Sequence, residues 1–201
     1  MAFDRPGHGE SDGSFRDLTV SGEVLHVRRL VEHLAARDDV DEYDIHLLGM
    51  SLGSVIAGVV AAQSPVPIAS LTMWSPAAVF ADEIRGGTLQ GRSIVDETID
   101  GVFSFNGLPL LAPFFVDSVN FDVFRRSEGY AGPVRILHGQ DDPIAPVTSA
   151  ERYVEMYGDS ASLTVVPGAD HSWTGPGQRD LLATETVDFI AAHSPCMQLA
   201  R

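Results

Sequence analysis

Ser51 stands in the pattern Gly49-Met50-Ser51-Leu52-Gly53, between an apolar run at 45–48 with the look of a strand and a run at 52–62 with the look of a helix. A hydroxyl carried on so sharp a strand-to-helix turn is held out above the sheet, where it can attack a carbonyl once a base takes its proton and an acid orients the base. Glycine is expected on both sides, because a side chain at either position would collide with the neighbouring strand or helix. The competing reading of Ser51 is a helix N-cap between two loop glycines. All 13 basic residues are arginine, so a lysine base and Schiff-base chemistry are ruled out and histidine is the base to look for.

Functional loops of doubly wound sheets lie at the carboxyl ends of strands. Two loops pass that test. His138-Gly139-Gln140-Asp141-Asp142-Pro143 follows a strand expected at 134–137, and Gly168-Ala169-Asp170-His171-Ser172-Trp173 follows one expected at 163–166. They offer Asp141, Asp142 and Asp170 as orienting acids and His171 as base. His138 reads as a strand-end residue bonded to backbone, and His8 as a residue bonded within its own loop. His26, His33, His46 and His193 read as surface or helix-flanking residues.

The elements that must position these groups alternate. Residues 1–4 look like the end of a strand and 5–13 like a loop rich in Gly, Pro and Asp. Thr19 is a good N-cap for a helix in which Val20, Val24, Val27, Val31 and Leu34 recur at spacings of four and three. Strands at 45–48 and 68–74 flank the helix at 52–62, and helices are expected at 149–156 and 179–192. Such alternation implies a mostly parallel sheet covered by helices. From about 79 to 130 the rhythm breaks into glycines, prolines and phenylalanines without a period. That stretch is expected to be a lid inserted in a single domain spanning 1–201, its phenylalanines forming core or a wall for an aromatic or acyl group.

Composition narrows the function classes. A length of 201 residues with 44% hydrophobic and 20% charged residues is ordinary for one globular domain. The net charge of -15 argues against nucleic acid, which needs a basic face. No apolar run has the length of a membrane span, and no signal-peptide pattern opens the chain. Cys196 is the single cysteine, which excludes an internal disulfide and fits a cytoplasmic location. No H-E-x-x-H or paired His-Cys pattern suggests a metal, and the Asp141-Asp142-Pro143 turn lacks the alternating ligands of a calcium loop.

Taken together, Phe3-Asp4-Arg5-Pro6-Gly7-His8-Gly9-Glu10-Ser11, the Ser51 pattern, the loop from His138 to Asp142 and Gly168-Ala169-Asp170-His171 resemble the α/β-hydrolase superfamily from end to end. Within it, Gly86-Gly87-Thr88-Leu89-Gln90-Gly91 is similar to a segment of the bacterial feruloyl (cinnamoyl) esterases that leads into their lid. Met50 departs from them, standing where they usually carry a histidine. The resemblance implies Ser51 as nucleophile, Asp142 as acid in preference to Asp141, and His171 as base. The backbone N–H of Leu52 becomes one donor of the oxyanion hole. It also implies that residues 3–4 end the fourth strand, so that the earlier strands, and the loop supplying the other oxyanion donor, are missing from the chain.

The function expected is ester hydrolysis through an acyl-enzyme on a small-molecule ester, feruloyl or another small acyl ester, with no cofactor and no metal. A peptidase or thioesterase on the same scaffold is the enzymatic alternative. An inactive fragment or an assembly module is the alternative of another class. Partners other than substrate are not expected among nucleic acids or membranes, and a homo-oligomer is left open.

Overall fold

The computed structural model describes residues 1–194, and Cys196 lies outside the described residues. The chain forms two compact units, one of Met1–Arg29 with Val79–Asp122 and one of Leu30–Ala78 with the chain from Val123 onward.

The larger unit is built on four parallel strands, β1 (His46–Met50), β2 (Ser70–Trp74), β3 (Val134–Gly139) and β4 (Ala161–Val166), in the spatial order β1-β2-β3-β4. Register runs Leu48↔Thr72, Thr72↔Arg135 and Arg135↔Ser162, so alternate residues line up across the sheet. The central strands are buried on both faces, the condition under which a parallel strand reads as an unbroken apolar run. On one face Met73 reaches the helix Leu52–Gln63 at Gly58, where an added Cβ would lie 3.6 Å from its Cε. On the other, the Trp74 indole N–H donates to Thr186 Oγ1 of the helix Gln178–His193 at 3.1 Å. Helices therefore cover both faces. Leu71, Met73, Ile136 and Leu137 are fully buried between them, and each contributes about 1.5–3 kcal/mol.

Local sequence sets the helix limits. The helix Leu52–Gln63 is made of small and branched apolar residues, with Val55, Val59 and Val60 fully buried. It stops at Ser64, whose ψ of 134° is the extended conformation demanded of a residue before proline. The helix Val147–Tyr157 ends at Gly158, whose φ of 56° with ψ -133° is a conformation that glycine adopts without a Cβ penalty. β1 is the edge of the sheet, with Leu48 45% and Met50 37% exposed.

In the smaller unit the helix Val20–Ala35, whose first part belongs here, begins just after Thr19. Thr19 Oγ1 accepts the Gly22 N–H at 3.1 Å, and Asp117 accepts the Ser21 N–H at 2.8 Å. The buried Glu23 pairs with Arg5. The stretch without a period contains the helices Phe80–Arg85, Ile94–Glu97 and Ala112–Val119 and two small antiparallel sheets. Phe80, Phe103, Phe114 and Phe121 are buried and form this unit's own core, Phe80 tilted against Phe121 and Phe103 and Phe114 each edge-on to Phe115. Residues 1–4 are not a strand, contrary to the sequence expectation. A strand needs a neighbour to take up its backbone groups. Here the Asp4 carbonyl instead accepts the Ser11 hydroxyl, and its carboxylate accepts the Glu10 N–H.

Candidate active site

Ser51 has φ 56° and ψ -124°, a conformation rare for a residue with a side chain. Main-chain bonds hold it there. Its N–H donates to Trp74 O at 2.9 Å, and its carbonyl accepts from Ser54 N at 3.1 Å and Ala77 N at 3.3 Å. The buried Ser54 hydroxyl bonds Gly49 O and Trp74 O, at 2.6 and 3.0 Å, locking the turn from behind. A Cβ on Gly49 would fall 2.2 Å from Gly53 O, so glycine is obligatory there. At Gly53 an added Cβ meets nothing within 4 Å, which corrects the expectation that both flanking glycines are sterically required.

The three residues expected to act together meet, all within the larger unit. Ser51 Oγ lies 2.9 Å from His171 Nε2, and His171 Nδ1 lies 2.7 Å from Asp142 Oδ2. A carboxylate only accepts, so Nδ1 carries the proton and Nε2 is free to accept from the serine hydroxyl. The other Asp142 oxygen, Oδ1, accepts the N–H groups of Ile144 and Ala145, each at 2.8 Å. The Asp142 side chain is fully buried and that of His171 nearly so. Burial alone would raise the Asp142 carboxyl. The His171 hydrogen bond and the Ala145 and Ile144 N–H groups outweigh it and hold the group below its ordinary value.

The rejected acids are accounted for as well. Asp141 is exposed and donates its N–H to Ala169 O in the turn. Asp170 turns away from His171 and accepts from the Thr174 N–H and hydroxyl, which lower its pKa. His8 is bonded within its own loop, to Pro6 O and Arg5, and rests against Phe15. Leu52 opens the helix directly after Ser51, so its N–H is one of the first-turn donors that a helix cannot satisfy internally. Among the described residues no group of three or more His, Cys, Asp or Glu side chains could hold a metal ion. Among those residues, too, no helix is long and apolar enough to cross a membrane.

Two supporting residues carry no sequence signal, because the residues they touch are distant in the chain. Ser75 (φ 43°) and Trp173 (φ 54°) both adopt left-handed backbone conformations and are buried. The indole N–H of Trp173 donates to Ser75 Oγ at 3.1 Å, joining the segment after β2 to the loop that carries His171. Ser75→Ala leaves that buried N–H without a partner and is expected to cost about 1–3 kcal/mol in urea unfolding. An unchanged unfolding midpoint would show that the bond contributes nothing.

A four-stranded parallel sheet with helices on both faces, a strained serine at the strand-to-helix turn after β1, and an aspartate and a histidine on the loops after β3 and β4 define a class. The chain belongs to the alpha/beta hydrolase family, whose model matches residues 1–184. Among curated proteins it is similar to human monoacylglycerol lipase ABHD6, 36% identical over 105 residues, which is 48% of this chain and 29% of that one. It is also similar to an uncharacterised protein of Mycobacterium tuberculosis, 27% identical over 172 residues, 86% of this chain and 52% of the other. The chain thus spans between about a quarter and a half of the length of the curated relatives it matches. Among solved structures, Est1E from Butyrivibrio proteoclasticus with ferulic acid bound superposes with a TM-score of 0.84 at 26% identity, covering 94% of this chain and 75% of that one.

Proposed function

We propose that this chain carries the chemistry of a serine ester hydrolase that works through an acyl-enzyme. The observation that supports this best is the continuous relay Ser51 Oγ, His171 Nε2, His171 Nδ1, Asp142 Oδ2, at 2.9 and 2.7 Å. His171 takes the Ser51 proton as the oxygen attacks the ester carbonyl. Negative charge develops on the carbonyl oxygen, and the donor we assign to it is the Leu52 N–H, at the positive end of a 12-residue helix. The C–O bond to the alcohol then breaks, with the proton on Nε2 passing to the leaving oxygen. Water, deprotonated by the same nitrogen, releases the acid and restores Ser51. Asp142, ionised throughout, stabilises the imidazolium each time it forms. No step calls for a cofactor or a metal.

For the substrate we propose a small acyl or hydroxycinnamate ester, on the strength of the ferulic acid bound to Est1E. The matches to monoacylglycerol lipases also favour a carboxylic ester over an amide. A fluorophosphonate probe is expected to label the protein once per chain, with the adduct on the peptide containing Ser51. Rates on methyl ferulate and p-nitrophenyl acetate are expected to exceed those on an acyl thioester or an aminoacyl anilide. Labelling elsewhere, or none, would overturn the mechanism, and a preference for the thioester or anilide would overturn the substrate class.

A further inference from the structure

His138, the fifth residue of β3, is completely buried beside the proposed acid without belonging to the relay. Its Nε2 lies 2.8 Å from Ala145 O. A carbonyl only accepts, so Nε2 carries the proton. Nδ1 is then a bare acceptor, and it is buried with no hydrogen-bond partner. The same Nε2 is 3.6 Å from Asp142 Oδ2, the oxygen that faces His171. Ala145 is therefore gripped at both ends. Its N–H goes to Asp142 Oδ1 and its carbonyl receives His138. With Oδ1 tied to that turn, the direction of Oδ2 is set by where the turn sits.

We propose that His138 is a positioning residue for the proposed hydrolysis: its Nε2–H, bonded to Ala145 O and packed against Asp142 Oδ2, fixes the turn that aims the Asp142 carboxylate at His171. The role requires the neutral ring. Burial pushes the imidazole below its ordinary value, against the pull of the Ala145 carbonyl and the Asp142 charge, while His171 acts with burial. A charged His138 would bury an unpaired Nδ1–H and compete with His171 for Oδ2. The inference rests on the hydrolase reading for its kinetic consequence, though the geometry can be read without turnover.

Two variants separate the atoms involved. His138→Gln places an amide donor near the position of Nε2, whereas His138→Asn places one nearer Nδ1. On p-nitrophenyl acetate, His138→Asn is expected to lower kcat by about 10- to 100-fold with KM within about twofold of wild type, the scale of a misaimed reacting group. The acid limb of its kcat/KM profile should move to lower pH, because a displaced carboxylate stabilises the imidazolium less. His138→Gln should recover most of the rate and the profile. Proton NMR of the His171 Nδ1–H, assigned by its disappearance in Asp142→Asn, should be displaced in His138→Asn and retained in His138→Gln.

Equal behaviour of the two variants, or a loss confined to KM, overturns the proposal. So does nitrogen NMR of the wild-type protein at neutral pH showing His138 as imidazolium or as the Nδ1–H tautomer, a result that needs no variant to fold. If the wild type hydrolyses no ester and resists the fluorophosphonate, the hydrolase reading fails. The displaced or undisplaced His171 proton still decides the positioning role.

Discussion

Asp142→Asn is expected to lower kcat on p-nitrophenyl acetate by about 10⁴-fold, the scale of the corresponding change in serine proteases. The size follows from the two oxygens having different tasks. Oδ1 accepts two backbone N–H groups, and only the amide oxygen of asparagine can take that place. The amide NH₂ is then forced toward His171, donor against donor. The ring relieves this by moving its proton to Nε2, which can no longer accept from Ser51. Turnover would fall while the fold persists, and steady-state kinetics beside a thermal melt would separate the two.

The same substitution changes the response to acid. The Asp142 pKa is lower in the folded chain than its ordinary value, so its contribution to stability is fully present above the unfolded value and is lost as pH falls through the folded one. The asparagine variant lacks that titration. Its stability should therefore fall less steeply on the acid side of the carboxylate range, as urea unfolding at a series of pH values would show. Parallel pH dependences in the two proteins would mean that Asp142 is not held ionised by its neighbours.

Gly49→Ala is expected to be the most damaging single methyl group added near the site. The new carbon would lie 2.2 Å from Gly53 O, 2.4 Å from Gly53 C and 2.6 Å from Ser54 N, all main-chain atoms that cannot swing aside. Relief requires opening the turn that holds Ser51, and overpacking of this kind costs about 1–3 kcal/mol or more. Activity should be lost with it. Gly53→Ala meets open space and replaces glycine in a helix, so a gain of up to about 1 kcal/mol is expected. A thermal melt of each variant decides the matter. Equal effects at the two positions would refute the steric account.

That contrast shows where reading the chain reaches and where it stops. That Ser51 and His171 come together is legible because each lies in a short motif at the end of a strand whose apolar run is itself legible, whereas the strand-end loops left Asp141, Asp142 and Asp170 open and the family resemblance chose Asp142. Thr19 marks the start of its helix correctly, since a cap is a local device. The Ser75–Trp173 bond is invisible because it joins positions 98 residues apart. Open space at Gly53 is invisible for the same reason. Residues 1–4 have the composition of a strand, but composition does not provide the partner that makes one.

The stretch without a period held a signal of another kind. Asp100-Gly101 and Asn106-Gly107, like Gln90-Gly91, have positive φ at both residues, the requirement of tight two-residue hairpins. Turn pairs, rather than hydrophobic spacing, announced its small sheets.

The loops that carry acid and base are joined by their main chains: Gln140 N–H donates to Val166 O, and Asp141 N–H to Ala169 O. Gly139 makes the close approach possible, since a Cβ there would stand 2.3 Å from Ala169 O. The spacing between Asp142 and His171 is thus inherited from backbone groups that every residue except proline possesses. Gln140 and Asp141 point their side chains to solvent and contribute only those groups. Mutational drift can therefore exchange these two exposed side chains, and the charge they carry, while Asp142 and His171 keep their spacing.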